Sequence, residues 1–382
     1  MSIEVAPAKT AAERSAVYAF RYRIYVEELG LEPPGADHQR REIVDEYDPC
    51  GISYALLEDG AIAGSLRCLY LNQIPDPSVL IAKFQLEPAL HAFGASAIAT
   101  TSRFMLDPRL RHGTAILRLI QAAYDDARAR GVRLNYGDCS PHLLEFYEHM
   151  GYRRYTRAYN DTFFGFKVPI VMLLGDQQAF ERACSPLGRL AAAHCDDSEA
   201  REWFARTYPE HVAPTTSSLL TEGAFFDLLA ERVASDPLHA VSLLRDLSRA
   251  EADRFLAHAT LIKAEPGHYV VRQGERDDTV YILLSGFAEV ILDGDETRPI
   301  RALAAGDIFG EISFLTTTCR TASVVTRAPS DVLVLSAAFL KRFLRQEPTI
   351  AAKLLFNLST ILAGRLATVT LTERTEKTGE LR

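Results

Sequence analysis

The stretch Phe309–Val324, FGEISFLTTTCRTASV, constrains this chain more than any other. The Gly310-Glu311 pair reads as a helix N-terminus with a carboxylate beside it. Arg320 follows Glu311 by nine residues and leads into Thr321, Ala322 and Ser323. Helix-end amides and one fixed guanidinium suit a single phosphate, and the carboxylate suits ribose hydroxyls. The pattern implies a small-molecule switch, so the remainder of the chain is what it switches.

The surroundings of that stretch predict its scaffold. Val241–His258 reads as helix. Short apolar segments then alternate with Gly267, Gly274, Gly286, Gly294, Gly306 and Gly310. Short strands with glycine turns at about 8–12-residue spacing predict an all-β barrel or roll. Asp331–Leu335 is the expected last strand, Ala337–Leu344 and Thr349–Leu371 are expected helices, and the polar tail TERTEKTGELR is expected to fray.

The first half of the chain has a different rhythm. Val17, Phe20, Ile24 and Tyr25 fall at helical spacing within residues 12–30. Ser53–Leu57 and Ala61–Leu69 read as strands joined at Asp59-Gly60. Ala97–Leu106 reads as a buried strand, Pro108–Gly113 as a basic loop, and Ala115–Arg130 as an amphipathic helix. Arg133–Tyr136, His142–Met150 and Phe163–Leu174 follow as strand, helix and strand, with an interruption expected at Pro169. This order predicts an α/β or α+β layer. The expected domains are 1–175, a helical connector over 176–236 broken by Pro186, Pro209 and Pro214, and 237–382.

Bulk properties exclude several classes. The net charge of −8 argues against nucleic-acid binding by the molecule as a whole. No run of about 18 apolar residues predicts a membrane span, and the N-terminus lacks the pattern of a signal peptide. Cys50, Cys68, Cys139, Cys184, Cys195 and Cys319 show no CxxC spacing and read as reduced thiols of a cytoplasmic protein. His112, His142 and His149 lack metal spacing, with His112 expected near a phosphate. No metal is expected.

The runs GHYVVRQGERDDTVYILLSGFAEVIL, GDIFGEISFL and CRTASV resemble the cyclic nucleotide-binding domain family. The resemblance implies an eight-stranded β-roll with flanking helices and a phosphate-binding cassette over Phe309–Ser323. Phe309, Gly310, Ile312, Ser313, Thr321, Ala322 and Ser323 join Glu311 and Arg320 as its binding residues. Glu311 would take the ribose 2′-hydroxyl and Arg320 the cyclic phosphate. Cys319 stands where that family carries proline. The Thr321 hydroxyl makes cGMP an alternative to cAMP. The β-roll is followed by helices and a polar tail alone, so the expected output domain lies upstream.

Upstream, RSAVYAFRYRIYVEELG, DEYD at 45–48, AGSLR at 63–67, TSRFMLDPRLRHGTA at 101–115 and HLLEFYEHMGY at 142–152 resemble the GNAT acyltransferase superfamily. The similarity is to its branch of autoinducer synthases and N-acyl amino acid synthases. Independently, a basic loop entering a helix suits the phosphate of a pantetheine thioester: Arg109, Arg111 and the amides of Gly113, Thr114 and Ala115, with Arg103 assigned to the same donor. Coenzyme A and acyl carrier protein both stand as donors, because Leu110 occupies a position where the superfamily has Gln or Arg. The resemblance makes Tyr147 the acid for the leaving thiolate and sets Asp45 and Asp48 beside the amine. Arg67 and Arg103, on expected strands, should pair with these carboxylates or with a substrate carboxylate. Thr100 replaces a family Glu, which disfavours lactone synthesis.

The expected function is therefore a cyclic-nucleotide-regulated N-acyltransferase acting on a small amine such as an amino acid, with a homodimer left open. One alternative is a regulated protein lysine acetyltransferase using acetyl-CoA. Another is a non-enzymatic nucleotide sensor. The apolar space beside Tyr147 discriminates among them.

Overall fold

The computed structural model describes residues 2–379 except His112, Cys195, residues 213–215, Glu222, Ala234 and 295–298, with side chains described as far as residue 367. Contacts divide the chain into two units, Met1–Pro214 and Thr215–Arg382. Residues 176–236, read from sequence as one connector, are thus shared between them.

The first unit runs β1 (Ile3–Pro7), α1 (Ala11–Tyr22), β2 (Ala36–Asp37), β3 (Glu42–Ile43), β4 (Ile52–Glu58) and β5 (Ala61–Tyr70). Next come α2 (Ser78–Phe84), α3 (Glu87–Phe93), β6 (Ile98–Leu106), α4 (Ala115–Ala129), β7 (Leu134–Cys139) and α5 (Leu144–Met150). β8 (Tyr152–Arg154), β9 (Tyr159–Asp161), β10 (Gly165–Leu173), α6 (Gln177–Arg182), α7 (Gly188–Ala192) and α8 (Ser198–Thr207) complete it. The main sheet is ordered β1-β4-β5-β6-β7-β10-β8, with β9 also on β10.

One joint of this sheet positions the site. β6 and β7 are parallel and pair only at Ile98–Leu134, Ala99–Asn135 and Thr100–Tyr136. Beyond Thr100, β6 continues along β5 alone, so the two strands part. The apolar face of α4, with Leu119, Ile120, Ala123 and Ala127, is buried beneath the sheet. The β5–β6 ladder slips between the pairs Ser65–Met105 and Arg67–Ser102. Arg103 sits in this bulge with φ of 53°, a left-handed conformation that costs a non-glycine residue free energy.

Two sequence expectations are corrected here, and one stretch gains helices that the sequence reading did not indicate. The first helix ends at Tyr22 and Arg23–Glu28 continues as a π-helical turn. Helices α2 and α3 fill a stretch left unassigned. Strand β10 is not interrupted at Pro169, which pairs opposite Asp138. On its other edge β9 ends opposite Lys167 and β8 begins opposite Ile170, so the missing proline N–H has no strand partner there to disappoint.

The second unit holds α9 (Ala224–Val233), α10 (Pro237–Ala240), α11 (Arg249–Leu256), β11 (Thr260–Ala264), β12 (Tyr269–Val271), β13 (Val280–Ser285) and β14 (Ala288–Ile291). β15 (Arg301–Leu303), β16 (Ile308–Phe309), α12 (Glu311–Thr316), β17 (Ser323–Thr326), β18 (Ser330–Leu335), α13 (Ala337–Gln346) and α14 (Pro348–Gly379) follow. Two four-stranded sheets, β11-β18-β13-β16 and β12-β17-β14-β15, form the expected β-roll with flanking helices. The helix expected over Val241–His258 is instead a short turn at Ser242–Leu244 and α11, which starts at a Ser248–Glu251 capping box. α14 runs on through most of the tail expected to fray, and residues 380–382 lie outside the described residues.

By length and composition alone, Pro348–Ala367 within α14 meets the profile of a membrane span, with mean hydropathy 1.3. Ile350, Leu354 and Leu358 of that segment are buried in the core of the second unit, while Leu355, Phe356 and Leu366 are exposed.

Candidate functional sites

In the second unit, Gly310 joins β16 to α12 with φ of 82°. A Cβ at this position would lie 2.7 Å from both Arg320 Nη1 and the Thr279 carbonyl oxygen, so the turn accepts only glycine without displacement. Arg320 is buried. Its Nη1 donates to the Gly310 carbonyl at 2.8 Å, and its Nη2 donates to Asp277 and to the Thr279 carbonyl, each at 2.7 Å. The guanidinium also lies 5.7 Å from the Tyr281 ring centroid. Glu311, also buried, accepts from Arg365 of α14, which donates as well to the Ile308 carbonyl.

These groups face a cavity of about 480 Å³ lined by Phe309, Gly310, Glu311, Ile312, Ser313, Arg320, Thr321 and Ala322 from the expected cassette. Ser323 is not in the wall: its hydroxyl accepts from the Gln273 amide and donates to Asp293. Arg301, Ile361, Gly364 and Arg365 also line the cavity. Arg301 donates to Asp307 at 3.0 Å from Nη2, and its Nη1 is buried without an acceptor. Sequence reading missed Asp277, Arg301 and Arg365. A lone arginine after the apolar run of α14 was the one available signal for Arg365.

In the first unit, a salt-bridge cluster joins four elements. Asp48 accepts from Arg21 at 2.7 Å and from Arg67 at 2.9 Å, and Asp45 accepts from Arg67 at 2.5 Å and from Arg103 at 2.8 Å. Asp48 also accepts from the Asp45 amide, and Arg21 reaches Ser53. Burial favours protonation of Asp45, but Arg67 and Arg103 outweigh it and hold the carboxyl well below the usual range. Burial pulls the Arg21 guanidinium down, with Asp48 opposing. Arg67 and Arg103 thus meet the expected carboxylates.

Where β6 and β7 part, an apolar cavity of about 30 Å³ opens beside Tyr147. Leu66, Phe104, Ile120, Ala123 and Met172 contribute to its wall. The half-buried Tyr147 ring meets Phe104, Phe146 and Tyr152 edge-on at centroid separations of 6.4, 5.4 and 5.4 Å. Burial pushes its phenol well above the ordinary value, so it carries its proton at neutral pH. Thr101, Asn135 and Tyr152 form a hydrogen-bonded polar edge to the same cavity.

The basic loop differs from expectation. Arg109 donates to Asp107 at 2.9 Å and approaches Glu58 at 3.4 Å, while Arg111 pairs with Glu28 at 2.6 Å. Gly113, Thr114 and Ala115 do form the entry to α4, and Thr114 places no side-chain cap over its first amides. His112 lies outside the described residues. Arg103 is turned toward Asp45, Tyr25 and Phe164. Among the described residues no group of three His, Cys, Asp or Glu side chains is arranged to hold a metal.

Comparison with known proteins assigns both halves. Residues 16–176 match the family described as N-acyl amino acid synthase FeeM, and residues 261–347 match the cyclic nucleotide-binding domain. The chain thus joins a region matching the N-acyl amino acid synthase FeeM family to a cyclic nucleotide-binding domain. Among curated proteins, the chain is 35% identical over 26% of its length to the cGMP-dependent protein kinase egl-4 of Caenorhabditis elegans, covering 13% of that protein. It is 34% identical over 28% of its length to a cAMP-dependent protein kinase regulatory subunit of Emericella nidulans, covering 26% of that protein. The chain thus spans about a quarter or less of these relatives. A solved cyclic nucleotide-binding domain from Methylobacillus flagellatus is 26% identical, with 42% of this chain and 86% of that one covered and a TM-score of 0.35.

Proposed function

We propose that this protein is a cyclic-nucleotide-regulated N-acyltransferase of GNAT type, moving an acyl group from a pantetheine thioester to the amine of an amino acid. The observation that carries this reading is the apolar cavity beside Tyr147 at the parting of β6 and β7. The amine attacks the thioester carbonyl, a C–N bond forms, and negative charge gathers on the carbonyl oxygen. A backbone amide of β6 near the Arg103 bulge, past its last pairing with β7, would donate to that oxygen. The C–S bond then breaks and Tyr147 gives its proton to the sulfur. No hydrogen bond ties the Tyr147 hydroxyl to another described residue, which leaves it free to donate.

Asp45 and Asp48 hold Arg67 and Arg103 in place and are positioning residues in this scheme. The pantetheine phosphate would lie on the amides of Gly113, Thr114 and Ala115. Arg109 and Arg111 already face acids, which supports the single phosphate of an acyl-carrier-protein arm over the more highly charged coenzyme A. The cavity is small, and Phe104 bounds it, so acyl length depends on that ring. Incubation with acetyl, lauroyl and palmitoyl thioesters on both carriers, read by mass spectrometry, tests the whole scheme. No acylated amine from any pairing overturns it. Acylated protein lysine in place of an acylated amino acid selects the acetyltransferase alternative.

For the effector, Arg301 supports cGMP. A guanidinium donor matches the O6 and N7 acceptors of guanine, whereas adenine presents an amino donor at the corresponding carbon. The Thr321 hydroxyl borders the same cavity. Isothermal titration should give tighter binding of cGMP than of cAMP, and equal or reversed affinity defeats this assignment. Turnover at saturating nucleotide should differ from turnover without it, and identical kinetics would remove the regulatory claim.

A further inference from the structure

The apolar cavity of the first unit is a slot along one face of α4. Ile120, Ala123, Tyr124 and Ala127 line it. Their spacing of i, i+3, i+4 and i+7 makes one stripe over two turns of helix, about 10 Å long. Leu66 of β5 and Met172 of β10 line it from the sheet, and Phe104 and Tyr147 border it where β6 and β7 part. Leu66, Met172 and all four residues of the α4 stripe are buried.

Ala123 and Ala127, the two small side chains of the stripe, provide the room. The wall at Tyr124 is fixed. Its hydroxyl donates to the Leu174 carbonyl at 2.6 Å, and its ring meets Phe180 edge-on with centroids 6.1 Å apart. Phe180 is in turn packed so tightly on Gly151 that a Cβ there would lie 2.5 Å from the ring. A chain passes on that side only by breaking the Tyr124 bond and shifting both rings. One edge of the slot is polar: Asn135 Nδ2 donates to the Thr101 hydroxyl at 2.8 Å and to the Tyr152 hydroxyl at 2.9 Å. An alkyl chain laid over these groups gains less than against a wholly apolar wall, because it takes their water. At about 30 Å³ the cavity has room for about two waters, or for a chain end of that size. Extra methylenes forced into a close-packed interior push side chains from their rotamers.

We propose that this slot selects a short acyl group, about two to four carbons long, and that Ala123, Ala127 and Met172 set the limit. This rests on the N-acyl transfer reading and deepens it by naming the acyl class of the donor. The thioester carbonyl lies beside Tyr147, with the chain directed along the α4 stripe toward Ala123. A lauroyl or palmitoyl chain must displace Met172 or Tyr124 from the core, and cover the polar edge as well.

The test uses the full chain and pantetheine thioesters, the part common to both carriers, in a series of acetyl, butanoyl, octanoyl and lauroyl. Isothermal titration without an acceptor amine reads binding, and mass spectrometry after adding amino acids reads transfer. Both should be best at acetyl or butanoyl. Lauroyl should fall by about tenfold or more, the scale on which a filled apolar pocket discriminates size. Met172→Ala opens the wall and should move the optimum toward octanoyl. Ala127→Gly, a smaller opening, should move it in the same direction, and melting temperatures separate a widened slot from a lost fold. Lauroyl bound and transferred by the wild type as well as butanoyl overturns the proposal and leaves the transfer reading standing. A short-chain optimum in binding with no transfer from any thioester keeps the slot and removes the transfer reading. An optimum unmoved in both folded variants overturns the limit assigned to these residues, and no binding of any thioester overturns slot and transfer together.

Discussion

Both halves of this chain bury arginine–carboxylate pairs, and they use them in opposite ways. In the first unit Arg21 and Asp48 are sealed, with side-chain exposures of 0 and 1%, and Asp48 is bonded on both oxygens. That cluster ties α1 to β5 and β6. In the second unit the pairs Arg320–Asp277 and Arg365–Glu311 border a cavity of about 480 Å³. There Arg320, Glu311 and Arg365 face open space as well as their partners. A buried ion pair does little for net stability, but losing one partner is expensive. Sealed pairs therefore hold geometry, and pairs on a cavity wall can act as switches.

The largest effect should fall on the sealed cluster. Asp48→Ala strands Arg21 without an anion, leaves Arg67 with Asp45 alone, and should destabilise the first unit by about 3–5 kcal/mol in chemical denaturation. A loss below about 1 kcal/mol would show the cluster to be less sealed than its geometry. In the second unit, Arg320→Ala should leave the fold intact and weaken nucleotide binding by about a hundredfold or more in titration calorimetry. Retained affinity would move the phosphate site elsewhere. Tyr147→Phe should lower kcat by about a hundredfold with KM little changed, as expected on losing a general acid. An equal change in KM alone would make Tyr147 a wall of the site.

Smaller effects sharpen the contrast. Arg365→Ala frees Glu311 for ribose and should tighten nucleotide binding by roughly threefold, whereas sealed pairs have no ligand to release to. Weaker binding in this variant would make Arg365 part of the ligand site. The depressed Asp45 carboxyl gives a pH signature. Its contribution to stability is fully present above the unfolded value of about 3.9 and is lost as pH falls toward the lower folded value. Melting temperatures of wild type and Asp45→Asn should therefore converge as pH drops below about 4, and parallel curves would contradict the pairing.

Much of this was legible in the sequence because it depends on spacing along the chain. The apolar runs of β4 and β5, the Asp59-Gly60 reversal and the apolar stripe of α4 are local patterns. The cassette is local too: Gly310, Glu311 and Arg320 lie within one short segment, and the fold brings eight of its nine expected residues to the cavity wall. Ser323 fails because strand alternation turns its side chain to the other face. The π-helical turn at Tyr25 was not legible, since its periodicity differs little from an α-helix over so few residues.

The sequence by itself determined two folded units of different class and the residues of the nucleotide cassette, because both follow from short-range periodicity and turn chemistry. Only the tertiary structure decided which charges meet. Asp277 and Arg365 reach the cassette from 43 and 54 residues away, and Asp45 meets Arg103 across 58. Such partners are chosen by the packing of distant elements, where burial forces every charge to find a counter-charge. That requirement names the need for a partner but not its position.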